Sequence, residues 1–378
     1  MKYYPMAKPV VGPTEIKAVV KVLKSGYLSL GPKVLEFEKQ FAKFIGTRYA
    51  CAASSGTAGL HLAIMASGIG PGDEVITSPF SFVASANCIL YAGATPVFAD
   101  IDPVTYNLDP AEVAKKITKR TKAILPVHIF GQSVDMAPLM RLSKIHKLKV
   151  IEDACESIGA DYGGKRVGTF GEAAVFAFYP NKQMTTGEGG MVVTNNQQVY
   201  KTCKSLANQG RGDNMQWLDH QRLGYNYRLD EMSAALGLAQ IKRISALIKG
   251  RRMLADWYTA FFNQFSDLVQ IPRIAPGNTH TWFVYVLKIV NHNIKRDQVI
   301  ADLKKRGISS KPYLPSIHLF DFYRKQFGHS PGSFPVSEEM STHSLALPFY
   351  HGLRKSDITH IGNALIKILR TYEKRIQK

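Results

Sequence analysis

Between Tyr49 and Thr194, short apolar runs alternate with helical segments. Tyr49–Ala53, Glu74–Thr77, Thr95–Ala99, Ala123–Val127, Lys149–Glu152, Ala173–Phe178 and Met191–Thr194 each read as a strand. This alternation predicts an α/β fold with a large domain in which a mainly parallel central sheet is flanked by helices. In such sheets ligands sit beyond the carboxyl ends of the strands, so the residues just after these runs are the ones to examine for chemistry.

The flanks extend this reading. Ile16, Val19, Val20 and Leu23 form a helical stripe ended by Gly26, and Val34, Phe37, Phe41 and Phe44 form a second ended by Gly46; stripes of this kind are expected to face the core. Beyond Tyr227 the texture changes. Asp230 to about Ala260 reads as one or two long helices, with Ala234, Leu238, Ile241, Ile244 and Ile248 spaced for burial, and an alternating strand Thr281–Ile289 follows the turn-rich Pro272–Asn278. Helices over Lys295–Arg306 and from Ser356, as N-cap, to about Lys374 complete a smaller C-terminal α+β domain. The expected division of the 378 residues is a large domain over 1–245 and a small one over 246–378.

A formal charge of +19 raises the question of a polyanionic partner. The cations come in scattered groups: Lys115-Lys116, Lys119-Arg120, Arg251-Arg252, Lys304-Lys305-Arg306 and the tail from Arg370 to Lys378. Most sit on expected helices beside apolar positions, as solvated faces do, and no helix-turn-helix, zinc finger or aromatic RNA-binding signature accompanies them. No nucleic-acid partner is therefore expected. Cys51, Cys88, Cys155 and Cys203 lie far apart with no CxxC pair, which suggests neither a metal site nor a disulfide framework and fits a cytoplasmic location. The opening MKYYPMAKPV has no apolar core of a signal peptide, and no run approaches the roughly 18 apolar residues that span a bilayer.

Three strand ends carry the chemistry. After Tyr49–Ala53, the turn Ser54-Ser55-Gly56-Thr57-Ala58-Gly59 opens an apolar helix and offers free amides and a hydroxyl to a phosphate; the same composition also serves purely structural turns. After Lys149–Glu152 comes Asp153, a carboxylate that could keep a pyridine nitrogen protonated or could cap a helix. After Ala173–Phe178, Lys182 lies on a turn followed by a glycine-rich return, where desolvation can make its amine a nucleophile towards an aldehyde.

The segments SSGTAGL, SFVASAN, EDACESIGA, FAFYPNKQMTTGEGG and GYNYRLDEMSAALGLAQ, in this order, resemble the DegT/StrS family of pyridoxal 5′-phosphate (PLP) sugar aminotransferases, which have the fold-type I architecture of the aspartate aminotransferase superfamily. The resemblance runs from GYLSLGP to LALP. It implies that Lys182 is the Schiff-base lysine and the acid–base group, that Asp153 pairs with the pyridine nitrogen, and that Glu156 lies near the 3-hydroxyl. It implies further that Gly56, Thr57 and Ala58 hold the phosphate, that Phe82 stacks on the ring, and that Asn226 reaches the cofactor of a neighbouring subunit in a homodimer with shared active sites. Ala177 stands where relatives often carry a phosphate-binding serine. Relatives that dehydrate sugars have histidine at the lysine position, so Lys182 favours transamination.

By the same resemblance the substrates are L-glutamate and a nucleotide-linked keto-sugar, with a 4-keto-6-deoxy sugar expected and a 3-keto sugar as the alternative. The cofactor would pass through pyridoxamine 5′-phosphate. Tyr313, His318 and Arg228 are the expected substrate contacts. His128, after the strand Ala123–Val127, is as open to a structural role as to a ligand contact and is left out of the site. A non-catalytic PLP-binding regulator is the other alternative, disfavoured by the intact Lys182, Asp153 and phosphate turn.

Overall fold

The computed structural model describes residues 2–212 and 219–377. Helices α1 (Pro13–Ser25) and α2 (Pro32–Ile45) each begin with proline, whose fixed φ suits a first helical turn, and end on a left-handed glycine, Gly26 at φ 74° and Gly46 at φ 92°. The alternating region then runs β1 (Tyr49–Ala53), α3 (Gly56–Ala66), β2 (Glu74–Thr77), α4 (Ala84–Tyr91), β3 (Thr95–Phe98), α5 (Pro110–Lys116), β4 (Thr121–Leu125), α6 (Met136–His146) and β5 (Lys149–Asp153). A small hairpin, β6 (Asp161–Tyr162) and β7 (Lys165–Arg166), precedes β8 (Ala173–Ala177), β9 (Gly190–Thr194), α7 (Gln197–Ala207), α8 (Glu231–Ile241) and α9 (Ile244–Phe262). The remainder holds β10 (Val269–Gln270), β11 (Asn278–Thr279), β12 (Tyr285–Ile289), α10 (Arg296–Lys305), α11 (Asp321–Phe327), α12 (Pro335–His343), β13 (Ser344–Leu347) and α13 (Lys355–Ile376).

Each of the seven apolar runs becomes a strand of one sheet, in the order β1-β9-β8-β5-β4-β2-β3. Strands β8, β5, β4, β2 and β3 pair in parallel, whereas β9 lies antiparallel to both β8 and β1. All except β9 therefore end at the same edge. Helices cover both faces, and the sheet's side chains feed apolar clusters that include one with Leu60, Val75 and Leu125, one with Phe37, Phe41 and Phe176, and one with Ile76, Ile124 and Val150. A further core, built from Tyr258, Phe262, Tyr285, Leu365 and neighbours, lies around the three-stranded sheet β10-β12-β13. Helix α9 joins these cores, with Leu247 in one and Leu254 in the other.

Three sequence expectations are corrected. The stripe Ile16, Val20 and Leu23 of α1 points outward, 57%, 40% and 51% exposed. The inward residues are Val22 and Glu15, whose carboxylate accepts hydrogen bonds from Gly12 N, Gln240 Nε2 and Arg243 Nη1; partners on or beside α8 fix the rotation of α1 against its apolar periodicity. Helix α13 is capped by Arg354 rather than Ser356, because Asp357 at its third position accepts the Arg354 amide. Arg251 is buried, 4% exposed, and is not on a solvated face.

Candidate active site

The carboxyl ends of β1, β2, β5 and β8 surround a cavity of about 500 Å³. The loop after β8 carries Lys182 into it, held by a turn in which the Lys182 amide donates to the Tyr179 carbonyl at 2.9 Å. The Lys182 Nζ atom donates to Glu156 Oε1 at 3.4 Å and sits 3.8 Å from the centre of the Phe283 ring. Its side chain is 13% exposed.

Glu156 is placed by the turn after β5. Its other oxygen accepts the Phe130 amide at 2.9 Å, and Gln183 Nε2 donates to its backbone carbonyl. Phe130 adopts φ 57°, a left-handed conformation costly for a bulky residue, in the turn that aims its amide at Glu156. Burial raises the Glu156 carboxyl pKa, with the Lys182 charge opposing it. Asp153 ends β5 beneath the same cavity. Its Oδ2 accepts the Ser85 hydroxyl at 2.6 Å, Ser85 is in turn bonded to Ser81 at 2.7 Å, and its Oδ1 accepts the Cys155 amide at 3.2 Å. The hydroxyls of Ser85, on α4, and Ser81, just before it, fix the carboxylate's direction.

On the opposite wall, α3 starts at Gly56. Ser55 is its N-cap, and Ser55 Oγ accepts the Ala58 amide at 3.0 Å. The amides of Gly56 and Thr57 have no partner one turn earlier in the helix, so they and the Thr57 hydroxyl are the donors left for an anion, with the helix dipole behind them. Ala58 donates inside the cap instead. Glycine is required at 56 by close approach: a Cβ there would lie 2.7 Å from Ala177 Cβ and 3.1 Å from Cys155 Sγ.

The expected residues divide as follows. Lys182, Glu156, Asp153, Gly56, Thr57, Phe82 and Tyr313 all line the cavity. Ala58 is placed one residue inside the helix. Asn226 lies in an extended segment bridged to Asn208, and Arg228 donates to Asn208 Oδ1 at 2.9 Å beside a separate hollow of about 210 Å³; neither borders this cavity. His318 is fully buried, packs on Phe334 and bonds Glu338 Oε1 at 3.0 Å, so it does not face the cavity; the apolar cluster around Phe98 and Tyr323 takes the 317–319 turn inward. His128, whose role the sequence leaves open, is held in the interior: Nδ1 accepts the Val134 amide, which leaves the ring proton on Nε2 for Glu152.

Phe283, Ser85 and Arg251 escaped the sequence reading. Ser85 lies within SFVASAN, and the spacing from Phe82 to Ser85 places both on one side of the turn into α4. Phe283 had no signal beyond membership of an apolar stretch.

The array offers an amine, two carboxylates and a helix N-terminus around one cavity, a set able to hold an anionic aldehyde and move protons on it. A family model, the DegT/DnrJ/EryC1/StrS aminotransferase family, matches residues 9–366. The chain is 38% identical over 366 residues to GDP-perosamine synthase of Caulobacter vibrioides, covering 96% of this chain and 98% of that one. Among solved structures it is similar to Helicobacter pylori PseC, an aminotransferase involved in pseudoaminic acid biosynthesis, with 29% identity, a TM-score of 0.92, and coverage of 98% of this chain and 100% of that one. It is similar also to DesV of S. venezuelae, with 31% identity, a TM-score of 0.91, and coverage of 98% and 99%. Solved neighbours include PLP and pyridoxamine phosphate forms. The chain belongs to the DegT/DnrJ/EryC1/StrS aminotransferase family and is a sugar aminotransferase that works with PLP.

Proposed function

We propose that this chain transfers an amino group from L-glutamate to a nucleotide-linked 4-keto-6-deoxy sugar, acting as a cytoplasmic homodimer. The observation that carries the reading is the convergence of Lys182 Nζ, Glu156, Asp153 and the α3 N-terminus on one cavity. A relative named for making GDP-perosamine, an amino sugar carried on a nucleotide, supports the substrate class. The 3-keto sugar is the alternative that the same assay separates.

Bound PLP supplies an electron sink for the carbon next to the transferred nitrogen. The chain's own residues do the rest. Lys182 Nζ would hold the cofactor by its aldehyde carbon and would be the group that moves a proton to and from the substrate carbon. Asp153, fixed by Ser85, would keep the ring nitrogen protonated by charge pairing. The Gly56 and Thr57 amides would receive the phosphate, and Phe82 and Tyr313 line the cavity. Glu156 holds the Lys182 amine by a hydrogen bond and would be the residue to meet the ring hydroxyl.

The homodimer reading rests on two features. Besides the outward stripe of α1, the nearby Tyr27, Leu28, Leu30 and Leu35 are exposed, apolar side chains of the kind a partner subunit would cover. Asn226 stands outside its own cavity, in a segment tied to the phosphate turn by the Ser54 amide donating to the Tyr227 carbonyl at 2.7 Å, so a contact with PLP would have to be made across an interface.

The test is an absorbance spectrum with added PLP before and after L-glutamate, followed by mass analysis of the products from 4-keto and 3-keto nucleotide sugars. A cofactor band that glutamate converts to the amine form, and that Lys182→Ala lacks, supports the reading. A band unaffected by Lys182→Ala, or conversion only by a different donor, overturns it.

A further inference from the structure

Arg251 occupies an unusual place for a cation. It lies on α9 with its side chain inside the protein, and burial lowers its pKa to about 10, with no carboxylate among the described residues offsetting that burial. It remains charged at neutral pH. Its hydrogen-bond partners are four backbone carbonyls: Nη1 donates to Trp282 O at 3.2 Å and Phe283 O at 3.1 Å, and Nη2 donates to Asn181 O at 3.2 Å and Lys182 O at 2.8 Å. One nitrogen thus grips the loop that carries the reactive lysine, and the other grips the segment that carries Phe283, over whose ring the lysine amine sits.

We propose that Arg251 is a positioning residue that sets Lys182 and Phe283 in register with each other before any ligand arrives. The proposal rests on the reading of Lys182 as the reacting amine. The guanidinium suits the task because it is planar and projects donors in two fixed directions, so each pair of carbonyls is held at a set angle to the other. A lysine ammonium directs three donors from one point and cannot bridge both pairs. Neither loop has a regular element of its own at this point: residues 179–189 follow the end of β8, and residues 280–284 precede β12. Carbonyls in such loops need a donor, and the Arg251 guanidinium, buried and 5.7 Å from the centre of the Phe349 ring, supplies it.

The test compares Arg251→Lys with Lys182→Ala and the unaltered protein. Arg251→Lys is expected to retain the cofactor band, which Lys182→Ala loses, but with altered circular dichroism of that band and a kcat lower by on the order of 100-fold at a KM for the amino donor within about twofold, as a misplaced reacting group gives. An unchanged dichroism with unchanged kcat overturns the proposal while leaving the assignment of Lys182 intact. Should Arg251→Lys fail to fold, hydrogen–deuterium exchange on the unaltered full chain decides. The 179–184 loop is expected to be as protected as α9 before PLP is added. A loop that exchanges freely and becomes protected only with PLP overturns the proposal, because the cofactor and not Arg251 would then order the lysine.

Discussion

Gly56→Ala tests the phosphate cradle at the α3 N-terminus. The new Cβ would lie 2.7 Å from Ala177 Cβ, about 1 Å inside ordinary carbon contact, and 3.1 Å from Cys155 Sγ. Neither neighbour can turn away: Ala177 has no rotatable side chain and belongs to a buried strand. The helix start must therefore move off the sheet. Overpacking of this kind costs about 1–3 kcal/mol, partly offset by about 1 kcal/mol of better helix propensity for alanine. The Gly56 and Thr57 amides move with the helix, and loss of one charge-assisted bond to phosphate, about 1.5–3 kcal/mol, weakens PLP binding by roughly 10- to 150-fold. The control is Gly59→Ala, one turn further along, where the Cβ would meet Val175 Cγ1, also at 2.7 Å. Both variants are expected to lose similar stability in urea titrations, but only Gly56→Ala should show the large loss of PLP affinity in titrations of the apoprotein. Equal PLP affinity in the two variants would refute the placement of the phosphate at this helix.

Leu23→Glu adds a charge to the outward stripe of α1; light scattering is expected to show a monomer with reduced turnover, folded within about 0.5 kcal/mol of the parent, and a persisting dimer would sink that interface. Asp357 accepts hydrogen bonds from Lys2 Nζ at 2.6 Å and Arg354 N at 3.0 Å, and although burial alone would raise its pKa, these bonds hold it well below the ordinary 3.8. A depressed folded pKa stabilises above the unfolded value and is lost as pH falls through the folded one, so the N-terminal segment should loosen only below about pH 4. Asp357→Asn should cost about 1–3 kcal/mol at pH 7 and flatten the acid limb of thermal stability; an unchanged limb would exclude this group. Among the cysteines, Cys51, Cys88 and Cys203 are buried, with the Cys51 thiol pushed up to about 12 by burial, whereas Cys155 borders the cavity. A small alkylating agent is expected to label Cys155 first and slowly, and PLP to block it; earlier labelling at Cys88 would contradict the cavity's shape.

What the sequence disclosed about fold and site follows the range of the interactions involved. Strands β1 to β5, β8 and β9 are local apolar runs bounded by turns, and each was readable within a residue or two. Lys182, Asp153 and Gly56 were readable because strand ends are where parallel sheets place ligands, and the topology brings those ends to one edge without help from distant residues. Features decided by long-range partners were not readable. His318 follows a proline-bounded turn that suggests a ligand contact, yet the apolar cluster at Phe98 and Phe334, hundreds of residues apart in the chain, draws it inside.

The two misread helices share a cause that also explains function. Periodicity alone assigns apolar residues inward and charged ones outward, and in α1 and α9 a charged side chain with several partners wins an inward place instead. Arg251 falls on the same stripe as Leu247, Leu254 and Tyr258, so a cation at a core position was the available signal, masked by the adjacent exposed Arg252 that made the pair look solvated. A buried charge is costly unless its partners satisfy it, and such a place is retained where it specifies a geometry. For Glu15 the geometry is the rotation of α1, which leaves Ile16, Val20 and Leu23 exposed. For Arg251 it is the distance between a lysine loop and an aromatic ring, which apolar packing of two irregular segments would leave free to slide.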